Sequence, residues 1–269
     1  MKNKMKTILK ISVCLAFAVI LPVSMGSCFA KKNRDSQKLI IAIIDEKNID
    51  EVRRLLEQGV DPNVPDIPES KFYDFLEHLE WTPRAYPLSE ACKYNVGYEM
   101  VKLLIDYGTT ADFSDKNVTS PLYCAVSNDY CYPDTLRVVE LLVENGADVN
   151  RKEHGVYPVE TAARMQPKKY NPGIKSNSDF EDGYDEETAK EITEVVKLLL
   201  ERMGDYDINS GSYTFTLLMR AATRGNIDLA EYLLSIGADT TIETSEGHKT
   251  AYDYAIDNGH VELAELLKP

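Results

Sequence analysis

Residues 216–239 read TLLMRAATRGNIDLAEYLLSIGAD, and this segment is the most informative about the fold because it contains two short helical patterns in succession. A glycine-asparagine pair, Gly225-Asn226, separates the two halves, and Gly237 follows the second. Glycine can adopt the left-handed conformation that ends a helix. In both halves the apolar residues recur at helical spacing: Leu218 and Ala221, then Ala230, Leu233 and Leu234. The stretch predicts a helix, a tight turn, a second helix and a protruding turn.

The same unit recurs along the chain. Its first half is an apolar residue followed three positions later by alanine, and the alanines are Ala42, Ala91, Ala125, Ala162, Ala221 and Ala255. Proline, which suits the first position of a helix, precedes three of these segments at Pro87, Pro121 and Pro158. Its second half is an amphipathic helix followed by glycine in five copies, at Gly59, Gly108, Gly146, Gly204 and Gly237. Repetition at this scale predicts a solenoid of stacked helix pairs.

These residues resemble the ankyrin repeat. The copy at 216–239 follows the family pattern closely, and Ser120-Pro121-Leu122 followed by Gly146-Ala147-Asp148-Val149-Asn150 gives a second good match. The resemblance covers about 36–269 in six copies and implies an all-α ankyrin-repeat solenoid. The terminal copies depart from the pattern, so we expect them to act as caps.

The spacing of the six alanines, 49, 34, 37, 59 and 34 residues, departs twice from a period near 33 and predicts two large loop insertions. Residues 64–82 contain Phe72, Phe75 and Trp81. We expect either a helix packed over the first repeats or a partner contact that includes Trp81. Residues 167–190 are acidic, but the order of their carboxylates does not fit a calcium-binding loop. We expect a solvated loop there, with loose cation binding or docking onto a basic partner as alternatives.

The amino-terminal residues 1–30 have the pattern of a signal peptide, with lysines followed by an apolar run from Ile11 to Val23. That run would span about 20 Å as a helix, which is short of a membrane-spanning segment. Met25-Gly26-Ser27-Cys28 resembles the box at which bacterial lipoproteins are cleaved and lipidated on cysteine. We expect lipidation at Cys28, with ordinary cleavage after Ala30 or an uncleaved anchor as alternatives.

Three of the five cysteines lie outside the signal segment and the lipidation box: Cys92, Cys124 and Cys131. An odd number permits one disulfide at most in an oxidising compartment. We expect buried thiols, and a bridge between Cys124 and Cys131 is the alternative.

The composition argues against several classes of function. Beyond residue 30 the chain has 26 basic and 44 acidic residues, a charge of −18, which disfavours nucleic acid and favours a basic protein partner. The four histidines form no metal-binding pair, and no nucleophile elbow or phosphate loop is present. We therefore expect no enzymatic activity, no cofactor and no metal.

The resemblance implies that the chain binds a protein through the concave face of its repeats. From the amino-terminal pattern at 1–30 we expect this binding to take place in the bacterial cell envelope. A periplasmic inhibitor or immunity-type protein that blocks a basic toxin or hydrolase is the alternative, and an enzyme hidden in the insertions is the third hypothesis. The candidate contacts are residues of the turn tips and first helices, mainly in copies three to six. They are Arg151, Lys152, His154, Tyr213, Glu243, Glu246 and His248 in the turns, and Tyr123, Arg220, Arg224 and Tyr254 on the helices.

Overall fold

A computed structural model describes residues 23–65, 85–113, 118–169 and 184–268, with side chains from Arg34 onward except that of Tyr213. These residues form twelve α-helices, which pair into six copies of the predicted unit. The helices are α1 (Val23–Ile44) and α2 (Ile49–Glu57), α3 (Pro87–Lys93) and α4 (Tyr98–Asp106), α5 (Pro121–Val126) and α6 (Thr135–Glu144), α7 (Pro158–Ala162) and α8 (Glu186–Met203), α9 (Leu217–Arg224) and α10 (Ile227–Ser235), and α11 (Ala251–Asp257) and α12 (Val261–Leu266).

Several of these helices are preceded by a short polar residue whose side chain accepts a hydrogen bond from a backbone N–H group of the first turn. Thr216 accepts a hydrogen bond from the backbone N–H of Met219 at the start of α9. Asn226 does the same for Leu229 at the start of α10. At α11, Thr250 and Asp253 satisfy each other's backbone N–H groups in a capping box. Because these caps satisfy N–H groups that a helix leaves unpaired, each short helix starts at a defined residue.

The helices pack in two layers. Among the first helices of each copy, α3 contacts α5, α5 contacts α7, and α9 contacts α11. Among the second helices, α4 contacts α6, α6 contacts α8, and α8 contacts α10. Leu142 of α6 and Leu233 of α10 are fully buried between these layers, as predicted. The core is continuous from the first copy to the sixth, which is how a solenoid buries apolar surface that a single repeat would leave exposed.

The prediction of an all-α repeat solenoid is confirmed. Within the described ranges there is no extended strand, and the β contacts are isolated bridges such as Glu153 with Val156. Most of the predicted insertion 64–82 and residues 170–183 of the other lie outside the described residues. The end of the second insertion is helical, since α8 begins at Glu186 and has 18 residues.

Candidate protein-binding surface

The turns that precede the first helices form the turn tips of the repeats. At the tip of copy four, Glu153 and Val156 exchange two backbone hydrogen bonds of 3.0 Å. The two residues between them, His154 and Gly155, have φ values of 53° and 82°. Positive φ at both central positions is the geometry of a tight hairpin turn. This turn holds the exposed His154 side chain at the end of the tip.

The tip of copy six has a related geometry. Thr244 donates its backbone N–H to the carbonyl oxygen of Lys249 at 3.0 Å, and Gly247 and His248 have positive φ. His248 lies with its Nδ1 atom 3.1 Å from a carboxylate oxygen of Glu243. Glu243, Glu246 and His248 are all exposed. The tip therefore presents acidic groups and an imidazole to solvent.

A cleft lies between the tips of copies four and five, with a volume of about 470 Å³. The exposed Lys152 ammonium lies 4.3 Å from the centroid of the Tyr157 ring, at one side of the cleft. Tyr157 in turn packs edge to face against Tyr206, with ring centroids 5.7 Å apart. Neither tyrosine was among the predicted contacts. Their position in the repeat turns was the signal available in the sequence.

The structure corrects the expectation that Arg151 is a free surface contact. Its side chain is 12% exposed and forms ion pairs with Asp112 at 3.1 Å and Glu153 at 3.0 Å. It also donates to the carbonyl oxygens of Phe113 and Val118, which lie at the two ends of segment 114–117. Arg151 therefore bonds to described residues before and after segment 114–117 and is engaged within the protein.

Arg220 is also corrected, because it does not project from α9. The residue is 6% exposed, and its guanidinium lies 3.5 Å from a carboxylate oxygen of Glu160. Burial lowers the pKa of Arg220, while the negative charge of Glu160 raises it. The sequence gives no sign of this pair, since Glu160 lies in copy four and Arg220 in copy five.

Glu160 links the same two copies through several donors. Its carboxylate accepts hydrogen bonds from the Ser212 backbone N–H at 3.1 Å, the Ser212 hydroxyl and the Tyr206 hydroxyl at 3.2 Å. Burial first, and then the charge of Glu160, raises the pKa of Tyr206 above its usual range. The carboxylate is therefore an acceptor at the boundary between copies four and five.

The remaining predicted contacts differ in how accessible they are. Tyr123, Arg224 and Tyr254 are partly buried. Arg224 lies 3.8 Å from Asp129, and Tyr254 packs edge to face on Phe215 with ring centroids 4.8 Å apart. Trp81 and the side chains of Cys28 and Tyr213 lie outside the described residues. The backbone at Cys28 and Ala30 belongs to α1.

The described residues offer little for catalysis. No group of three or more His, Cys, Asp or Glu side chains within them could hold a metal ion. Cys92, Cys124 and Cys131 are buried and free, as the first of the two cysteine interpretations predicts. Burial raises the pKa of the Cys124 thiol to about 12, far from that of a reactive thiolate. No helix in the described part of the chain has the length and apolar character needed to cross a bilayer.

Comparison with known proteins gives consistent matches. The chain is 28% identical over 139 residues to the ankyrin repeat protein nuc-2 of Neurospora crassa, covering 52% of this chain and 11% of that protein. It is 26% identical over 194 residues to the ankyrin repeat and KH domain-containing protein mask-1 of Caenorhabditis elegans, covering 67% of this chain and 7% of that protein. It is 35% identical over 75 residues to the mouse ankyrin repeat and SAM domain-containing protein 6, covering 27% of this chain and 8% of that protein.

The chain thus spans about a tenth of the length of these relatives, all of which are eukaryotic. The family model for ankyrin repeats (three copies) matches residues 39–153 and 188–269. Together the two matched segments cover most of the helix pairs in the structure. Ankyrin repeats are generally non-catalytic modules for protein interaction. With more than half of its residues matched by that model, this chain belongs to the ankyrin-repeat family.

Proposed function

We propose that this chain is a non-catalytic module that binds a protein partner through the concave face of its repeats, formed by the first helices and turn tips of copies three to six. The observation that carries the proposal is the set of exposed side chains on defined turns. Lys152 and His154 belong to one tip, and Glu246 and His248 to another. Because tight backbone turns hold these tips, a partner can contact them at little cost in loop ordering.

The charge distribution supports a partner with basic groups. The second helices α2, α4, α6, α8, α10 and α12 carry 16 acidic and 7 basic residues, a net charge of −9. At the tip of copy six, Glu243 and Glu246 are exposed. We expect basic groups of the partner to contact this tip. The negative charge of the second helices attracts such groups over a longer range and so raises the rate of association. The same charge disfavours nucleic acid as a partner.

The proposal includes export to the bacterial cell envelope and attachment through a lipid on Cys28. The support is the amino-terminal pattern of lysines, apolar run and Met25-Gly26-Ser27-Cys28. In a bacterial host, Cys28→Ala should move the protein from the membrane fraction to the soluble fraction. A lipid chain contributes roughly 0.8 kcal/mol per buried methylene, so its loss removes the anchor. Unchanged membrane retention with an unmodified Cys28 by mass spectrometry would overturn this part.

The binding proposal is tested by capturing a partner with the whole chain as bait and measuring its affinity for matched variants. Lys152→Ala combined with Tyr254→Ala should weaken binding more than tenfold, or roughly 1.4 kcal/mol. The control combines Glu140→Ala with Glu231→Ala, which are exposed residues of second helices. A control that weakens binding as much as the test variant would overturn the proposed surface.

Arg220 is unsuitable for this test because alanine would disturb a buried ion pair. If the captured partner is a toxin or hydrolase, its activity in the presence of the chain tests the inhibitor alternative.

A further inference from the structure

The residue after each repeat alanine shows how one copy is covered by the next. It is buried in the first five copies, where its exposed fraction is 4% or less, but it is 48% exposed in the sixth. These residues are Ile43, Cys92, Val126, Ala163, Ala222 and, in copy six, Ile256. Cys92 lines a small cavity together with Ala125 and Val138 of copy three. The residue after the alanine therefore faces the following copy, and copy six leaves this position open in the described structure.

The residue before each repeat alanine faces the preceding copy instead. In copy five this residue is Arg220, which lies 3.5 Å from Glu160 of copy four. In copy six it is Tyr254, whose ring packs on that of Phe215 in the turn before α9. The residue at this position is buried or partly buried in copies two to six, whereas Ile41 of copy one is 48% exposed. Copy one therefore leaves open the position that faces a preceding copy.

The two open positions lie on the two sides through which copies stack on each other inside the chain. We call the side of α1 that carries Arg34, Lys38 and Ile41 the head face, and the side of α11 that carries Ile256 the tail face. The terminal repeats of a soluble solenoid usually have a polar outer side. Here each face instead has an isoleucine at the stacking position, and Leu266 of copy six is a further apolar residue 40% exposed. Both faces thus keep apolar surface of the kind that the interior junctions bury.

Charge distinguishes the two faces. Residues 251–268 of copy six contain four acidic residues and one lysine, a net charge of −3. On α1, Arg34, Lys38 and Ile41 are spaced by four and three residues, so they lie on one side of the helix, and all three are exposed. Arg34 forms no ion pair with the described residues, and Lys38 has Asp35 at 4.0 Å. Two tail faces therefore repel each other, whereas a tail face and a head face attract.

We propose that this chain associates head to tail with a second copy of itself, so that the tail face of one chain packs against the head face of the next. The inference goes beyond the proposed function, because the turn tips take no part in it. The contact repeats the junction between copies five and six. Ile256 of one chain takes the place of Ala222, and Ile41 of the other takes the place of Tyr254. Such a contact is heterologous, so a pair of chains still has one head face and one tail face open, and further chains can add.

The test is analytical ultracentrifugation of the full chain over a range of concentrations. The unsubstituted chain is expected to form species that grow beyond a dimer. Ile41→Asp and Ile256→Asp each bury a charge in the contact, so each should raise the dissociation constant at least about tenfold. When these two variants are mixed, each contributes its intact face, so association should return and stop at a dimer. Ile236→Asp is the matched control, at an isoleucine 43% exposed after α10, and should associate like the unsubstituted chain.

Four results would overturn the inference: an unsubstituted chain that stays monomeric at every concentration, a head or tail variant that associates as well as that chain, an equal loss in the control, or a mixture of the two variants that stays monomeric. Association through segment 1–30 would give the second result, because every variant contains that segment. All variants should keep the same circular dichroism spectrum, since the three isoleucines are exposed. Failure here is separable from failure of the proposed function, because capture of a partner that depends on Lys152 and Tyr254 does not require self-association.

Discussion

Gly225 should be among the positions most sensitive to alanine, because two separate costs fall on it. Its φ is +73°, a conformation that costs an L-residue about 1–2 kcal/mol. A Cβ atom there would also lie 2.6 Å from both Cε1 and Nδ1 of His260, which is far inside contact distance. The Nε2 atom of His260 lies 3.3 Å from the carbonyl oxygen of Thr223, so a ring that moves away from the added Cβ would disturb this contact. Overpacking of this kind typically adds about 1–3 kcal/mol.

Gly225→Ala should therefore lower the free energy of unfolding by about 2–5 kcal/mol, measured by urea denaturation followed by circular dichroism. Gly259→Ala is the matched control, since its φ is +78° and nothing lies within 4 Å of the added atom. It should cost only about 1–2 kcal/mol. In a His260→Ala background the two glycine substitutions should cost the same, because the obstructing ring is gone. Two results would refute the contact between copies five and six. One is that Gly225→Ala and Gly259→Ala lower the free energy of unfolding equally when His260 is present. The other is that Gly225→Ala remains the more costly of the two in the His260→Ala background.

Three further predictions concern the core, the thiols and a helix cap. Leu142→Ala, at a fully buried residue, should cost about 2–5 kcal/mol of unfolding free energy, whereas Val261→Ala, at a residue 66% exposed, should change it by less than about 0.5 kcal/mol. Comparable losses would contradict the helix register. Cys124, with its pKa raised to about 12 by burial, should react with a thiol reagent at pH 8 at a rate set by unfolding, because on the order of 10⁻⁴ of it is thiolate; fast reaction in the native state would contradict its burial. Hydrogen bonds from Thr250 lower the pKa of Asp253, so this carboxylate stabilises the fold above about pH 4, and the contribution disappears as the pH falls through the lower folded pKa. Asp253→Asn should thus destabilise the protein at pH 7 by at most about 1 kcal/mol, and this difference should shrink as the pH falls below about 4 and through the lower folded pKa. A difference that is unchanged by acidification would show that the charge is not responsible.

The repeat pattern predicted the fold because its signals are local. Pro121 begins α5 and Pro158 begins α7, as expected from prolines at first helical positions. Leu142 and Leu233 are buried because their spacing within one helix decides which side faces the core. The sequence also held a local signal for the length of α8. Ala189 and Ile192 extend its buried apolar face towards the amino terminus, and Ala189 lies within the predicted acidic insertion 167–190.

The candidate surface was harder to predict because burial of a charged side chain depends on distant partners. Arg151 is held by Asp112, 39 residues earlier in the chain. Arg220 packs beside Glu160, which belongs to the other side of the insertion. A sequence pattern places both arginines at turn or first-helix positions, where exposed residues are common. Only the stacking of neighbouring copies decides that these two are enclosed while Lys152 and His154 remain accessible.

Hydrogen–deuterium exchange of the whole chain, with and without a captured partner, tests most directly whether the first-helix side is the binding surface. Added partner should slow exchange at the turn tips, residues 151–157 and 243–250, while exchange in the second helix α6 (Thr135–Glu144) stays the same. Slower exchange in α6 and the other second helices, with the tips unchanged, would show that the partner binds the second-helix side instead.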